Sequence, residues 1–166
     1  MSNIRPMTIS DIARVAEIDV FAWRSSYRGI FSDNFLFNEM LVAKRIEFFA
    51  NRLDSSAAEG YVYDDGIIKG YLMIGPCEDK DEISSFEVWG LYIDPFMQRQ
   101  GIGEALMNFC EEKARQRGYS KICLWTLEKN AVGRAFYESR GYAADGSRKF
   151  LEDIGAYQVR YSKEMA

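Results

Sequence analysis

A glycine-bearing loop with the sequence QRQGIG, Gln98 to Gly103, is the first stretch whose residue types suggest chemistry. It follows an apolar run and a break at Pro95, and it opens directly into a segment whose apolar spacing predicts a helix. Glycines allow a tight bend and bring main-chain amides close to a ligand. The unpaired N–H groups and positive dipole at a helix start favour a bound anion. The loop therefore predicts a cradle for a diphosphate.

The spacing within this loop excludes two other phosphate-binding motifs. It lacks the GxxxxGK[ST] pattern of a P-loop, and Leu106 occupies the third small position that a dinucleotide-binding GxGxxG requires. A GxG pair that opens a helix is also compatible with an ordinary tight turn. The loop by itself leaves both interpretations open.

The residue types that are missing restrict the chemistry further. Histidine is absent, which excludes a Ser-His-Asp or Cys-His catalytic group and a His-ligated metal. A general base must then be a carboxylate, tyrosine, lysine, cysteine or ordered water. Cys77, Cys110 and Cys123 are odd in number and lack CxxC spacing, a pattern that predicts reduced thiols rather than disulfides or zinc. We expect no metal.

Length and charge suggest one domain over residues 1–166. The chain is 48% hydrophobic and 28% charged, and a length of 166 residues suits a single full-sized core. A net charge of −4 argues against a nucleic-acid partner. The sequence shows neither a secretory leader nor an apolar run of membrane-spanning length, so we expect a cytoplasmic protein with no membrane partner.

Hydrophobic periodicity predicts the element order β-α-α-β-β-β-α-β-α-β-β, an α/β domain with a mixed sheet. Asp65-Gly66 predicts a hairpin with a type I′ turn. Helices are predicted near residues 11–25, 35–53, 101–117 and 130–140, and strands near 4–5, 61–63, 67–74, 84–93, 122–125 and 157–161.

The order strand-Asp-Pro-x-x-Gln-x-x-Gly-x-Gly-helix, from Asp94 to Gly103, resembles motif A of the GNAT superfamily of N-acetyltransferases. The later stretch from Asn130 to Tyr142 resembles motif B of that superfamily. Both motifs occur in the family's order, and the N-terminal helix pair and C-terminal strands also match. The resemblance implies a single-domain GNAT fold. Its α+β mixed sheet would have about six to seven mostly antiparallel strands, a splay after the fourth, and about four flanking helices.

The resemblance also implies how acetyl-CoA would bind. Its diphosphate would lie on main-chain amides of the glycine loop, and its pantetheine arm would add like a strand to the backbone of the fourth strand, where side-chain identity should matter little. Asn130 would reach the pantetheine and could equally cap a helix. Gly133 stands where the family commonly has alanine. The implied coenzyme-binding residues are Leu91, Tyr92, Ile93, Gln98, Arg99, Gln100, Gly101, Ile102, Gly103, Glu104, Asn130, Gly133 and Tyr137.

Two residues match catalytic positions of the family. Tyr137 matches the tyrosine that donates a proton to the departing CoA thiolate, which suits a phenol that stays protonated at neutral pH. Packing as a core aromatic residue is its alternative. Glu87 matches, in spacing, the strand glutamate used as a base by histone-type GNAT enzymes. An ordinary strand glutamate, with ordered water as the base, is equally compatible.

The acceptor side is less well defined. The segment that contains Trp23, Tyr27 and Arg28 resembles one that covers the acceptor cleft in small bacterial GNAT enzymes. Trp23 and Tyr27 could instead pack the first helix onto the sheet, and Arg28 could cap a helix. We expect direct transfer, in a ternary complex, to a small-molecule or peptide amine: a polyamine, an amino acid or antibiotic-like amine, or a protein N-terminus or lysine. A non-catalytic acyl-CoA-binding or regulatory module is the alternative. A homodimer is possible.

Overall fold

Seven strands and four α-helices make up the described part of this computed structural model, which covers residues 2–55 and 57–166. None of these helices is long and apolar enough to cross a membrane. The helices are α1 (Ile12–Tyr27), α2 (Val42–Asp54), α3 (Ile102–Gln116) and α4 (Ala131–Ser139). The strands are β1 (Ile4–Pro6), β2 (Glu59–Asp64), β3 (Ile68–Pro76), β4 (Phe86–Ile93), β5 (Lys121–Leu127), β6 (Ala143–Leu151) and β7 (Ala156–Glu164).

The strands form one mixed sheet in the order β1-β2-β3-β4-β5-β7-β6. The β4–β5 pair is parallel, whereas β1–β2, β2–β3, β5–β7 and β6–β7 are antiparallel. The pairing of β4 with β5 covers Phe86 to Val88 against Ile122 to Leu124, although β4 runs on to Ile93 and β5 to Leu127. These features confirm the predicted fold class and agree with a splay after the fourth strand.

The predicted helix over residues 35–53 is wrong as a single element. A π-helical turn, Phe35–Glu39, precedes α2, and Leu41 between them is extended at φ −104° and ψ 142°. The reason is local hydrogen bonding. Nε of Arg24 donates to the Leu36 carbonyl at 2.9 Å, the acceptor that a continuing α-helix would offer to Met40. The Met40 N–H instead donates to the Phe35 carbonyl at 2.8 Å.

The β2–β3 hairpin is confirmed, but its turn is not of type I′. That turn needs positive φ at both central residues. Gly66 meets this condition, with a φ of 108°. Asp65 does not, because the one non-glycine residue with positive φ in the described part of the chain is Arg99. Asp65 therefore has the wrong sign of φ for the first central position.

Two compact units can be described separately. The first comprises Met1–Gly75 and Gly90–Cys110, and the second comprises Pro76–Trp89 and Glu111–Ala166. The one-domain prediction stays a prediction. Buried core residues of the first unit include Val15, Ile18, Leu36, Phe49 and Leu72. Those of the second include Phe86, Ile122, Cys123, Leu124 and Tyr161.

Candidate active site

Asp94 fixes the direction of the chain between β4 and the glycine loop. Its buried carboxylate accepts from the Phe96 N–H at 2.9 Å and from Nη2 of Arg14 at 2.5 Å. Its own N–H donates to the Lys69 carbonyl of β3 at 2.8 Å. The side-chain cap and the ion pair together hold the turn at Asp94, from which the chain enters the glycine loop.

The loop itself has two left-handed residues at alternate positions, Arg99 with φ 63° and Gly101 with φ 75°. Such alternation turns successive N–H groups towards one side and makes an anion-binding concavity. The first α3 hydrogen bond runs from the Ala105 N–H to the Gly101 carbonyl at 3.0 Å. The amides between these residues therefore have no carbonyl within α3 to bond to and point out of the helix end. The loop side chains Gln98, Arg99 and Gln100 are exposed.

Gly70 on β3 allows the end of β4 and the start of α3 to pack closely within the first unit. A Cβ atom at Gly70 would lie 2.7 Å from Cδ1 of Ile93 and 3.3 Å from Cγ2 of Ile102. The Ile102 side chain is 3% exposed, so it belongs to the core. A ligand contact at Ile102 would therefore have to use its main chain.

Tyr92 departs from the expectation that side chains on this strand matter little. Its hydroxyl shares a 3.0 Å hydrogen bond with the hydroxyl of Tyr27, and its ring lies 6.5 Å from Trp23 and 5.9 Å from Tyr71. Tyr27 is buried, and burial raises the pKa of its phenol. The Tyr92 side chain thus links β4 to the C-terminal end of α1.

A buried polar group under these rings was missed by the sequence analysis. Asp19 on α1 accepts from the Tyr71 hydroxyl at 2.5 Å and from Nε of Arg45 at 2.6 Å. Burial raises the pKa of the Asp19 carboxyl, and the charge of Arg45 opposes that effect. The one sequence signal was the spacing of Asp19, Trp23 and Tyr27 at i, i+4 and i+8, which places all three on one helix face.

Trp23 and Arg28, the two other residues predicted to line the site of the acetyl acceptor, have different environments. Trp23 is half-buried, with its ring stacked on Phe31 at 5.7 Å and edge-on to Tyr27 at 4.9 Å. Arg28 is exposed, and its guanidinium pairs with Asp33 at 3.1 Å. The structure therefore joins Trp23 and Tyr27 in one aromatic cluster, whereas Arg28 lies in a surface ion pair.

In the second unit, Asn130 caps α4 as predicted. Its Oδ1 accepts from the Gly133 N–H at 3.0 Å. A Cβ at Gly133 would lie 2.3 Å from Nδ2 of Asn130, which explains glycine there because alanine would displace the capping side chain. Arg134 fixes the same helix by donating to the Glu128 carbonyl and the Tyr161 hydroxyl, both at 2.9 Å. Tyr137, on the last turns of α4, is half-buried beside the ring of Tyr142.

Glu87 lies on β4 within the second unit, directly opposite Cys123 of β5. The carboxylate is half-buried and accepts from the Glu78 N–H at 3.4 Å. Burial raises the pKa of Glu87, and the negative charge of Asp79 adds to this effect. Hydrogen bonds from the Glu78 amide and the Cys77 thiol oppose the increase without cancelling it. A carboxyl with a raised pKa is better matched to accepting a proton near neutral pH.

Known proteins share this architecture. The Acetyltransferase (GNAT) family model matches residues 21–142. The N-acetyltransferase YuaI of Bacillus subtilis (strain 168) is 29% identical over 133 residues, covering 78% of this chain and 74% of that protein. The spermidine N(1)-acetyltransferase of Thermoplasma acidophilum is 25% identical over 153 residues, covering 90% and 95%. The PaiA N-acetyltransferase of Thermoplasma acidophilum, crystallised with coenzyme A, has a TM-score of 0.73 at 18% identity, covering 97% of both chains. The chain belongs to the GNAT family of acetyl-CoA-dependent N-acetyltransferases.

Proposed function

We propose that this enzyme transfers the acetyl group of acetyl-CoA directly to a primary amine in a ternary complex. The neutral amine attacks the thioester carbonyl, its surplus proton goes to a base, and the C–S bond breaks as the coenzyme sulfur takes up a proton. No acetyl-cysteine intermediate is proposed, because all three cysteines are buried and lie outside the two motifs.

The alternating left-handed backbone at Arg99 and Gly101 is the observation that carries the coenzyme assignment. Main-chain amides from Gln98 to Glu104 are proposed to hold the diphosphate, since they combine an anion-binding turn with a helix N-terminus. The backbone of Leu91, Tyr92 and Ile93 is proposed to pair with the pantetheine arm. Asn130 and Gly133 are proposed to contact the same arm, on the strength of their position in motif B.

Proton transfer is assigned to two residues of the second unit. Tyr137 is proposed to give its phenolic proton to the CoA sulfur as negative charge develops there. Glu87 is proposed to take the proton of the amine, directly or through one water. Support for Glu87 comes from its half-buried position on β4 and from its match in spacing to the family's strand glutamate.

The proposed acceptor is a small amine, with polyamines as the first class to test. A relative that covers 90% of this chain is a spermidine N(1)-acetyltransferase, and a net charge of −4 favours cationic substrates. Trp23 and Tyr27 are proposed to form an aromatic wall on the acceptor side. Arg28 would contribute only if it left its pair with Asp33.

Release of free CoA thiol, measured across panels of polyamines, amino acids and peptides, tests the acceptor class. We expect kcat/KM to be highest for a polyamine. A preference for peptides would transfer the assignment to protein N-termini or lysines. Thiol release that no amine stimulates would contradict acetyl transfer to an amine.

Tyr137→Phe tests the proton-donor role. Loss of a positioned general acid should lower kcat by about 10²–10⁴-fold while acetyl-CoA affinity stays unchanged. Tyr157→Phe, which removes the hydroxyl of an exposed tyrosine on β7, serves as the matched control and should retain full activity. Equal losses of kcat and coenzyme affinity in Tyr137→Phe would indicate a packing role instead.

A further inference from the structure

Three side chains that can ligate metals converge within the second unit. The β4–β5 register places Glu87 opposite Cys123, and Cys77 is held nearby by a 3.0 Å hydrogen bond from its N–H to the Ser85 carbonyl. The two sulfur atoms are 3.1 Å apart, and one ligand atom from each of the three residues lies within 4.8 Å of the others. We propose that Cys77, Cys123 and Glu87 bind a thiophilic divalent cation of the Zn²⁺ class.

The spacing of the three ligand atoms is close to what such an ion requires. With bonds of about 2.3 Å to sulfur and about 2.1 Å to oxygen, a tetrahedral Zn²⁺ ion holds neighbouring ligand atoms roughly 3.5–3.8 Å apart. The two sulfurs would have to separate slightly and the carboxylate would have to approach. Three protein ligands leave one tetrahedral position for water or another small ligand.

The two sulfur atoms are buried and lie beside negative charge, and both features favour a bound cation over two uncompensated thiolates. Cys77 is 6% exposed and Cys123 is fully buried, and the carboxylates of Glu87 and Asp79 place negative charge beside both. Binding of the ion would displace the protons of both thiols. Lys149 supplies the opposing positive charge near Glu87.

The spacing rule that argued against zinc could not detect this cluster. Short repeats such as CxxC identify sites built on one turn or knuckle. Here the sulfurs are 46 positions apart in the chain and are brought together by the sheet. The absence of a short repeat therefore does not exclude a ligand set assembled from β4, β5 and the segment that follows β3.

Metal binding would have a functional consequence, which rests on the proposed function. A carboxylate that ligates the cation cannot also accept the amine proton, so the ion would inhibit acetyl transfer by occupying Glu87. Binding itself requires neither acetyl-CoA nor an acceptor. The cation site and the role of Glu87 as base can therefore be tested separately.

The first experiment uses the reduced wild-type enzyme. Titration with Co²⁺ in the absence of oxygen should produce a thiolate-to-cobalt charge-transfer band that saturates at one equivalent and is abolished by Zn²⁺. X-ray absorption on the Zn²⁺-loaded enzyme should show two sulfur ligands at about 2.3 Å. A shell of oxygen and nitrogen alone, or no charge-transfer band, would overturn the proposal.

Variants identify the ligands. Loss of a side chain that only supports a metal ligand costs roughly 10–100-fold in metal affinity. Cys77→Ser and Cys123→Ser each remove a ligand itself, so each should weaken Zn²⁺ binding by more than that. Glu87→Gln should weaken it less but measurably. Cys110→Ser is the matched control, because Cys110 is also a buried thiol but lies on α3 outside the cluster. Loss of the cobalt band in Cys110→Ser and its retention in Cys123→Ser would contradict the assignment.

Activity measurements separate the two proposals. If one equivalent of Zn²⁺ binds and acetyl transfer stops, both the cation site and the role of Glu87 stand. If Zn²⁺ binds with two sulfur ligands and turnover is unchanged, the cation site stands and Glu87 is not the base. If turnover falls without a sulfur-ligated metal, inhibition arises elsewhere and the cation site is rejected.

Discussion

The glycine loop and the cluster of Cys77, Glu87 and Cys123 differ in which atoms supply the chemistry: main-chain groups in the loop, side chains in the cluster. In the loop, the side chains of Gln98, Arg99 and Gln100 are exposed, and the backbone conformation supplies the anion-binding groups. In the cluster, strand pairing occupies the backbone of Glu87 and Cys123, and the buried or half-buried side chains of all three residues supply the chemistry. The loop should therefore tolerate changed side chains but not a changed backbone, and the cluster should show the reverse.

Gly101→Val should have the largest effect. A β-branched residue is strained at φ 75°, by about 1–2 kcal/mol, and relief of that strain would turn the amides away from the diphosphate. Together with the lost hydrogen bonds, we expect acetyl-CoA binding to weaken by about 100-fold or more. Isothermal titration calorimetry measures this affinity.

Gly146→Val is the matched control for that measurement. Gly146 has a φ of 91°, is exposed, and like Gly101 has nothing within 4 Å of an added Cβ. The same backbone strain is thus introduced in β6, outside both motifs. Weakened coenzyme binding in Gly146→Val, or intact binding in Gly101→Val, would contradict the assignment of the loop.

Glu87→Gln tests the side-chain half of the comparison. The amide keeps the shape of the carboxylate but cannot take a proton, so we expect kcat to fall by about 10²-fold with unchanged acetyl-CoA affinity. Glu128→Gln, which alters a partly exposed carboxylate paired with Arg148, should have no effect on turnover. Full activity in Glu87→Gln would exclude Glu87 as the base and leave ordered water or another side chain in that role.

Local patterns explain why parts of the molecule could be predicted from the sequence. The glycine loop, the Asn130 cap and the apolar spacing that predicts α3 each depend on residues within about one or two turns of one another. The missed features depend on distant partners. Asp19 and Tyr71 are 52 positions apart, Cys77 and Cys123 are 46 apart, and the break before α2 follows from an Arg24 contact with Leu36. Sheet register and tertiary contacts determine such pairs, and periodicity carries no information about them.

Asp94→Ala should destabilise the fold that supports the loop. The change removes a cap and leaves Arg14 without its buried partner, so we expect the free energy of unfolding to fall by about 2 kcal/mol. Urea denaturation measures this change. Asp33→Ala is the control, since it breaks an aspartate–arginine pair that is exposed on both sides and should leave the midpoint unchanged. Equal shifts of the urea midpoint in both variants would contradict the proposal that the cap and buried ion pair of Asp94 stabilise the fold.

Gln98→Ala should have the smallest effect, because it changes a loop residue but not the loop backbone. Its side chain is exposed, and alanine readily adopts the extended conformation, φ −70° and ψ 164°, that this position has. Acetyl-CoA affinity should change by less than about threefold, which corresponds to roughly 0.6 kcal/mol. The same calorimetric assay used for Gly101→Val gives a direct comparison. A loss at Gln98 as large as the loss at Gly101 would show that the loop also binds the diphosphate through side chains, and the contrast with the Glu87 cluster would no longer hold.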